Sequence, residues 1–324
     1  MTDETHRLRL VAVVVTYNRL EQLKITIARL LESPAEHLSA IVVADNASND
    51  GTQEWLETVS DPRVYIERLN KNGGGAGGFE AGMRRAMQDC DPDWLVVMDD
   101  DGRPRPGAFA AFHRLDLSKW DGIASAVFFP SGEICEMNRP SRNPFWHRAE
   151  FIRTLRGGRG GFHLRAEDYA SDHGQPIDVT SFVGFFISRQ AVEKIGYPDP
   201  DLFLYGDDGL YTLGLTNVGG RIGFEPSVQF EHDCSTFAGQ RGRFRPLWKV
   251  YYYHRNLMLL YRLAAGWMFW PVLLIILPKW FLKIRAHGGE RRIFLRLMWQ
   301  AVKDGLRKHT NVEHDQVLRW ASQK

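Results

Sequence analysis

Apolar and polar positions alternate along the first hundred residues in blocks that suit strands and helices in turn. Residues 10–16 (LVAVVVT) form a continuous apolar, β-branched run, as in a strand buried on both faces of a parallel sheet. In residues 19–32 the apolar side chains instead recur every three to four positions, which indicates a helix with one buried face. We predict strands at 10–16, 40–44, 64–68 and 94–98, and helices at 19–32, 52–59 and 78–89.

Strands that alternate with helices at this spacing form βαβ units and a doubly wound, mostly parallel sheet. Right-handed crossovers bring the carboxyl ends of the strands to one edge, where such sheets bind ligands. Polar clusters follow all four predicted strands: TYN at 16–18, DN at 45–46, a glycine-rich loop at 70–78 and DDD at 99–101. The sequence therefore predicts a ligand site at this edge.

Composition excludes several classes of protein. The 324 residues, 44% of them apolar and 25% charged, suit one large globular α/β domain with an appended segment. A formal net charge of +2 gives no reason to expect nucleic-acid binding. The three cysteines, Cys90, Cys135 and Cys234, are widely spaced and predict neither a disulfide framework nor a zinc site, which favours a reducing compartment.

The acidic triplet after the fourth strand has the pattern of a cation site. Asp99 and Asp101, at positions i and i+2 near a strand end, can point the same way and share one ion. A hard divalent ion held by one or two carboxylates keeps open positions for phosphate oxygens. A solvated acidic turn is the alternative.

Two other strand ends suit a nucleotide. The glycines of 72–79 (NGGGAGGF) permit close backbone approach, and the following helix N-terminus favours an anion, although a merely flexible loop is the alternative. The segment lacks the Gly-Lys-Ser/Thr of a P-loop, and it follows the third strand rather than the first, unlike a dinucleotide fingerprint. Asp45 could accept a hydrogen bond from a base, whereas residues 48–50 suit a turn and helix cap.

Four segments in order resemble the inverting family-two glycosyltransferases: VVVTYNR at 13–19, VVADNASNDGT at 42–52, NGGGAGGF with MRRA at 72–86, and VVMDDDGRP at 96–104. The resemblance covers about residues 8–235. It is greatest for the galactofuranosyltransferase and rhamnosyltransferase branches, through the glycine-rich loop and the full DDD. It implies an α/β fold with a Rossmann-like, mostly parallel sheet of the glycosyltransferase A type, followed by a helical C-terminal extension.

The resemblance also implies roles for particular residues. Asp99, Asp101 and His232 (in FEHDCS) would hold the metal, Mg²⁺ or Mn²⁺. Asp208 would deprotonate the acceptor hydroxyl while Asp207 orients it; many relatives have Glu-Asp here, so the choice between the two acids stays open. The residues implied to bind the donor are Thr16, Asn18, Arg19, Asp45, Asn72, Gly73, Gly77 and Asp100.

Arg255 ends a tyrosine-rich segment (WKVYYYHRN, 248–256) that is similar to one in the same branches. The resemblance implies that Arg255 contacts the acceptor or a phosphate. For the tyrosines, a buried aromatic helix face is an equal alternative.

The expected activity is transfer of a sugar from a UDP- or dTDP-sugar, UDP-galactofuranose first and dTDP-rhamnose second, to a glycan or lipid-linked acceptor in surface polysaccharide synthesis. One alternative is a sugar-phosphate nucleotidyltransferase. Such enzymes usually carry their glycine-rich loop directly after the first strand, where this chain has TYNR. The other is a non-catalytic, membrane-associated scaffold of the same fold, against which the intact acidic motifs argue.

Two domains are expected: a nucleotide-sugar-binding and catalytic domain at 1–238 and a helical region at 239–324. Segment 266–278 (GWMFWPVLLIILP) is shorter than the roughly twenty residues of a membrane span and has basic, aromatic neighbours. It therefore predicts an anchor on an anionic membrane surface, with a core helix as the alternative. The N-terminus lacks a signal-peptide pattern, so we expect a cytoplasmic protein, peripheral on the inner face of the membrane. Basic residues in 138–178 predict a mobile loop that covers the donor.

Overall fold

A mixed β-sheet covered by helices on both faces organises the chain, in a computed structural model that describes residues 8–234 and 243–322. The strands are β1 Leu10–Thr16, β2 Ala40–Asp45, β3 Val64–Arg68, β4 Trp94–Asp99, β5 Gly102–Pro104, β6 Gly122–Phe128, β7 Gln175–Ile177, β8 Phe185–Ser188 and β9 Ile222–His232. The helices are α1 Leu20–Leu31, α2 Thr52–Leu56, α3 Gly74–Asp89, α4 Ala108–Phe112, α5 Arg148–Gly157, α6 Ala166–Tyr169, α7 Arg189–Ile195, α8 Asp207–Asn217, α9 Lys249–Ala265, α10 Phe269–Leu282, α11 Arg291–Arg307 and α12 His314–Ser322.

The strand order is β3-β2-β1-β4-β8-β6-β9-β5, with β7 also paired to β9. Strands β3, β2, β1 and β4 are parallel, which confirms the predicted doubly wound half. Beyond β4 the sheet becomes mixed, because β8 runs antiparallel to both β4 and β6 while β9 runs parallel to β6. All four predicted strands form, each within one residue of its predicted bounds.

Strand β1 is buried along its whole length, as its unbroken apolar run predicts. Alternate side chains enter two different clusters: Val13 packs with Met83 of α3, whereas Val14 packs with Leu23 and Ile27 of α1. Because helices cover both faces of the sheet, the side chains on both faces of β1 are apolar up to its last residue, and the strand lacks the apolar–polar alternation of a half-exposed strand.

Helix α3 begins at Gly74, four residues earlier than predicted. The glycine-rich segment is thus mostly the first turns of a helix rather than a loop. A Cβ at Gly78 would lie 2.4 Å from Val15 Cγ1, and one at Gly82 would lie 2.6 Å from Val13 Cγ1. These glycines therefore let α3 lie closer to β1 than a side chain would permit.

The basic segment 138–178 is not the unstructured loop that we expected. It contains α5, α6 and β7, and the Ser141 backbone bridges to Val179 and His163. Asn143 Nδ2 donates to Ala264 O at 2.9 Å, which ties the segment to α9. These contacts join residues far apart in the chain, so composition did not indicate them.

Helices α9 to α12 enclose an apolar cluster of their own, which includes Tyr251, Trp280, Phe294 and Met298. The helical C-terminal region is as predicted, although the expected boundary at 238/239 lies outside the described residues. Within the described part, the stretch Lys249–Ala286 is long and apolar enough to cross a membrane, a test that the core helix of a soluble protein also passes.

Candidate active site

The ends of β1 and β4 meet at Asp100, which is buried. Thr16 Oγ1 donates a hydrogen bond to Asp100 Oδ2 at 2.8 Å, and Thr26 Oγ1 donates to Asp100 O at 2.6 Å. The Arg19 guanidinium lies 3.1 Å from Asp100 Oδ1 and 2.8 Å from Asp101 Oδ2. Neighbouring parallel strands thus bring Thr16, Arg19 and the acidic triplet together, as their strand-end positions predict.

His232 joins the triplet from the end of β9. The β5–β9 ladder sets Gly102 opposite His232, and His232 Nε2 lies 3.2 Å from Asp101 Oδ1. The other ring nitrogen, Nδ1, lies 2.7 Å from Asn138 Oδ1, whose amide Nδ2 donates to Ser181 Oγ. Since Asn138 Oδ1 only accepts hydrogen bonds, Nδ1 carries a proton and Nε2 is the nitrogen that faces Asp101.

Asp207 and Asp208 are the first two residues of α8, where the helix macrodipole favours negative charge. The loop before them has positive φ at Phe203 (64°), Tyr205 (68°) and Gly206 (75°). For Phe203 and Tyr205 this conformation is strained, and such strain persists only where the surroundings enforce it. Asp207 is buried, whereas Asp208 stays partly exposed.

The two acidic segments form one electrostatic cluster. Burial raises the pKa of Asp99, and the charges of Asp101, Asp100, Asp207 and Asp208 raise it further. Burial, with the charge of Asp208, raises the pKa of Asp207 to about 7, and burial raises the pKa of Asp208 to about 6. Burial likewise raises the pKa of Asp100 to about 6, against the opposing effect of Arg19. Five carboxylates thus share a site that a cation would stabilise.

Asp101 behaves differently from its neighbours. Burial acts to raise its pKa, but the hydrogen bond and charge of His232, together with Arg19, outweigh burial and leave the pKa below its ordinary value. Asp101 is therefore the carboxylate of the triplet most readily kept ionised.

Asp45, at the end of β2, has one unsatisfied carboxylate oxygen. Its Oδ1 accepts from Ser48 N at 3.0 Å, whereas its buried Oδ2 has no hydrogen-bond partner among the described residues. A buried acceptor without a partner is costly, so a ligand donor at this position would be favourable. A Cβ added at Gly77 would meet no atom within 4 Å, so open space lies beside this part of α3.

Several predicted donor-binding residues instead bond to neighbouring loops. Asn18 Oδ1 accepts from Asn49 N at 2.7 Å, and Asn72 Oδ1 accepts from Gly74 N at 2.8 Å. Gly73 N donates to Asn46 Oδ1 at 3.3 Å. Their side chains and backbone shape the edge of the site in this structure.

Arg255 does not face the site, contrary to our expectation of an acceptor or phosphate contact. It is fully buried, and its Nη2 donates to the carbonyl oxygens of Asp201 and Leu202, each at 2.9 Å. The adjacent Asn256 Nδ2 lies 2.8–3.0 Å from the carbonyl oxygens of Leu202, Leu204 and Tyr205. The Arg-Asn pair therefore holds the strained loop that precedes Asp207.

The structure also brings in side chains that the sequence did not indicate. Asn138 contacts His232, while Cys135 Sγ lies 3.9 Å from His232 Nδ1 and Cys234 lies close to both. The common feature is the pairing of β6 with β9, which sets the residues after Phe128 beside those around His232. No spacing motif signals a contact between such distant segments.

The doubly wound sheet, with acidic and glycine-rich segments at its strand ends, places the protein among the α/β proteins that bind a ligand at the carboxyl ends of their strands. Residues 11–171 match the profile of "Glycosyl transferase family 2". The chain is 28% identical over 239 residues to galactofuranosyltransferase GlfT1 of Mycolicibacterium smegmatis, which covers 72% of this chain and 73% of that protein. It is 39% identical over 105 residues to an undecaprenyl-phosphate mannosyltransferase of Micrococcus luteus, over 31% of this chain and 40% of that one.

Solved structures agree on the fold. The chain matches mannosyltransferase PcManGT from Pyrobaculum calidifontis, in complex with GDP-Man and Mn²⁺, with a TM-score of 0.55 and 19% identity over 98% of this chain and 87% of that one. It matches GalNAc-T7, with UDP, GalNAc and Mn²⁺, with a TM-score of 0.56 and 17% identity over 74% of this chain and 45% of that one. The chain belongs to the family-two glycosyltransferases, with galactofuranosyltransferases among its relatives, and its fold is of the glycosyltransferase A type.

Proposed function

We propose that this protein is an inverting, metal-dependent glycosyltransferase that uses a nucleotide-sugar donor. The observation that carries the proposal is the convergence of Asp99, Asp101 and His232 with the acidic pair at the start of α8. A scaffold would have no need for five carboxylates in one electrostatic cluster. A nucleotidyltransferase would be expected to have its glycine-rich segment after β1, whereas here that segment follows β3.

Asp99, Asp101 and His232 are the residues that would hold the metal. Carboxylate oxygens and an imidazole nitrogen suit Mg²⁺ or Mn²⁺. Burial and then the charges of four neighbouring carboxylates raise the pKa of Asp99, and a cation would offset that negative charge. Asn138 would act as the hydrogen-bond partner that orients a metal-bound histidine. Its bond to Nδ1 leaves Nε2 directed at Asp101. When bound, such an ion neutralises charge on the departing diphosphate.

Asp208, rather than Asp207, is our choice for the base. Asp208 is partly exposed and so can reach an acceptor hydroxyl, whereas Asp207 is only 8% exposed. A pKa of about 6 leaves Asp208 mainly ionised at neutral pH and close to the best value for a general base. As Asp208 takes the hydroxyl proton, the acceptor oxygen bonds to the anomeric carbon and the bond from that carbon to the diphosphate oxygen breaks.

Donor recognition would use the edge between β2 and α3. The unpaired Oδ2 of Asp45 suits a base N–H, and the open space beside Gly77 can admit the ligand. Thr16, Asn18, Asn72 and Gly73 line the same edge of the sheet, and Arg19 and Asp100 would lie nearer the diphosphate and sugar. Because relatives are named galactofuranosyltransferases, UDP-galactofuranose is the first donor to test and dTDP-rhamnose the second.

The test is a donor panel scored by release of free nucleoside diphosphate, with Mn²⁺ or Mg²⁺ and then with excess EDTA. We expect metal-dependent turnover with one donor. An Asp101→Asn variant that kept full activity, or turnover unaffected by EDTA, would refute the metal assignment. Release of pyrophosphate from a nucleoside triphosphate and a sugar phosphate would support the nucleotidyltransferase instead.

We further propose that the acceptor is glycan or lipid-linked and that α10 holds the enzyme on the inner face of the cytoplasmic membrane. Trp267, in the turn just before α10, is 84% exposed, and Leu274 on α10 is 77% exposed, so this apolar surface is not that of a buried core helix. Exposed cations flank it: Lys279, Arg285, Arg291 and Arg292. Apolar side chains beside cations suit an anionic lipid surface.

Liposome flotation tests this attachment. We expect the protein to float with vesicles that contain anionic lipid, and a Trp267→Ser/Leu274→Ser variant to stay at the bottom. Leu155→Ser is the matched control, because Leu155 is also exposed (73%) but lies on α5. Equal flotation of both variants, or no flotation of the unmodified protein, would contradict the anchor.

A further inference from the structure

A second set of ligating side chains lies directly behind the proposed active site. Cys135, His232 and Cys234 each offer one ligating atom, and these three atoms all lie within 4.8 Å of one another. Cys135 is buried and Cys234 partly exposed, so the group is reachable from one side. Asp101, one of the carboxylates proposed to hold the catalytic metal, lies on the other side of the ring, with Oδ1 3.2 Å from Nε2.

The distance between Cys135 Sγ and His232 Nδ1 is close to the ligand spacing of a tetrahedral zinc site, and Cys234 lies within 4.8 Å of this pair. Zn–S bonds of about 2.3 Å and Zn–N bonds of about 2.0–2.1 Å place sulfur and nitrogen ligands about 3.6 Å apart. Cys135 Sγ and His232 Nδ1 are 3.9 Å apart. Asn138 Oδ1 lies 3.0 Å from Cys135 Sγ and 2.7 Å from Nδ1, so an oxygen also points at the same centre. Small side-chain movements would complete the coordination.

We propose that Cys135, His232 and Cys234 form a site for a thiophilic divalent cation such as Zn²⁺ or Cd²⁺, and that the bound ion inhibits the enzyme. Two sulfur ligands and one imidazole select softer ions than the carboxylate side of the ring does. Binding displaces the two thiol protons to solvent. The ring proton of His232 leaves Nδ1 for solvent and one proton is taken up at Nε2, so that the Nδ1 lone pair becomes free to bind the ion.

The inhibition follows from the two nitrogens of one imidazole, and it rests on the proposed role of His232 as a catalytic metal ligand. An ion on Nδ1 leaves the ring proton on Nε2, which then donates to Asp101 Oδ1 at 3.2 Å. His232 can no longer offer Nε2 to Mg²⁺ or Mn²⁺. The two ions therefore oppose each other, and by linkage the opposition is mutual.

The first experiment measures Cd²⁺ binding to the full-length protein by equilibrium dialysis and by the ultraviolet charge-transfer absorption of Cd²⁺–thiolate bonds. We expect one tightly bound equivalent with that absorption in the unmodified protein. Cys234→Ser and Cys135→Ser should lose it, and Cys90→Ser, which removes the cysteine outside the cluster, should keep it. Because Cys234 is partly exposed, its substitution tests the site even if Cys135→Ser does not fold. Equal binding by Cys234→Ser and Cys90→Ser would overturn the site.

The second experiment measures free Mn²⁺ by electron paramagnetic resonance while the protein is titrated with and without one equivalent of Cd²⁺. We expect Cd²⁺ to raise the apparent dissociation constant of Mn²⁺ at least ~10-fold, a coupling within the usual range, and to have no effect in Cys234→Ser. An unchanged Mn²⁺ affinity despite thiolate-bound Cd²⁺ would overturn the inhibition. Neither readout needs turnover, so failure of the proposed transferase activity remains a separate result.

Discussion

Two adjacent glycines of α3 allow a sharp test of why this segment is glycine-rich. A Cβ at Gly78 would lie 2.4 Å from Val15 Cγ1 and 2.6 Å from Asn46 Nδ2. Both neighbours are constrained: Val15 lies in β1, and Asn46 Nδ2 donates to Gly74 O at 3.0 Å. A Cβ at Gly77 would instead meet no atom within 4 Å. The same substitution, Gly→Ala, therefore has opposite consequences at consecutive positions.

Overpacking of this kind costs about 1–3 kcal/mol, while alanine in place of glycine returns about 1 kcal/mol within a helix. We expect Gly78→Ala to lower the free energy of unfolding by up to about 2 kcal/mol and Gly77→Ala, which has no overpacking cost, to leave it unchanged or raise it by up to about 1 kcal/mol. Urea denaturation followed by tryptophan fluorescence measures both. Equal stability of the two variants would refute the close packing of α3 on β1.

The two variants also distinguish an effect on stability from an effect on donor binding. If the open space beside Gly77 admits the donor, Gly77→Ala should weaken donor binding, measured by calorimetry, without loss of stability. Unchanged donor affinity in Gly77→Ala would remove Gly77 from the proposed donor site while leaving the packing argument intact.

Further outcomes follow from the site. Asp101→Asn should abolish metal-dependent donor binding in calorimetry, whereas Asp208→Asn should keep donor binding and lower kcat by about 10²–10⁴-fold. Because the pKa of Asp208 is raised to about 6, kcat/KM should increase with pH up to about 6 and then level off, which a pH–rate profile checks. The pKa of Asp207 is raised from 3.8 to about 7, so the folded protein holds this proton more tightly than the unfolded chain does. The metal-free protein should therefore lose stability as pH rises through that range. Denaturation of Asp207→Asn at several pH values should not show this loss. Asn256→Ala should lower kcat with little change in donor affinity, because the loop before Asp207 loses its amide partner; a change in KM alone would contradict this.

The strands of the N-terminal half were predictable because burial on both faces imposes an unbroken apolar run, as in β1 and β4. The start of α3 was not predictable, because glycine has a poor helix propensity and the composition of Gly74–Gly78 is typical of a loop. Contact with β1 overrides that propensity. Segment 138–178 was mispredicted for a similar reason: its order depends on partners such as Ala264, far along the chain.

For the site, the rule that strand ends converge was enough to bring Thr16, Arg19 and Asp99–Asp101 together. His232 was placed only through family resemblance, and its neighbours Asn138 and Cys135 could not be foreseen. They approach because β6 pairs with β9, and pairing between distant strands leaves no local pattern in the sequence. Site residues that lie together in one segment can therefore be predicted from the sequence, whereas contacts between residues of distant segments can be found only from the fold.

Arg255 shows why the role of a charged residue in a family-like motif is ambiguous until its partners are known. A guanidinium can bind a phosphate or can donate to several carbonyl oxygens, and both roles require arginine at a defined position. Here the carbonyl groups belong to Asp201, Leu202 and Thr310, so the charge is buried against the loop that leads into α8. The strained φ angles of Phe203 and Tyr205 explain the need for such a clamp, since backbone strain relaxes unless several bonds oppose it. The Arg-Asn pair thus acts on the acidic pair of α8 through the backbone rather than on the ligand, which is why Asn256 and Asp208 are expected to affect the same kinetic step.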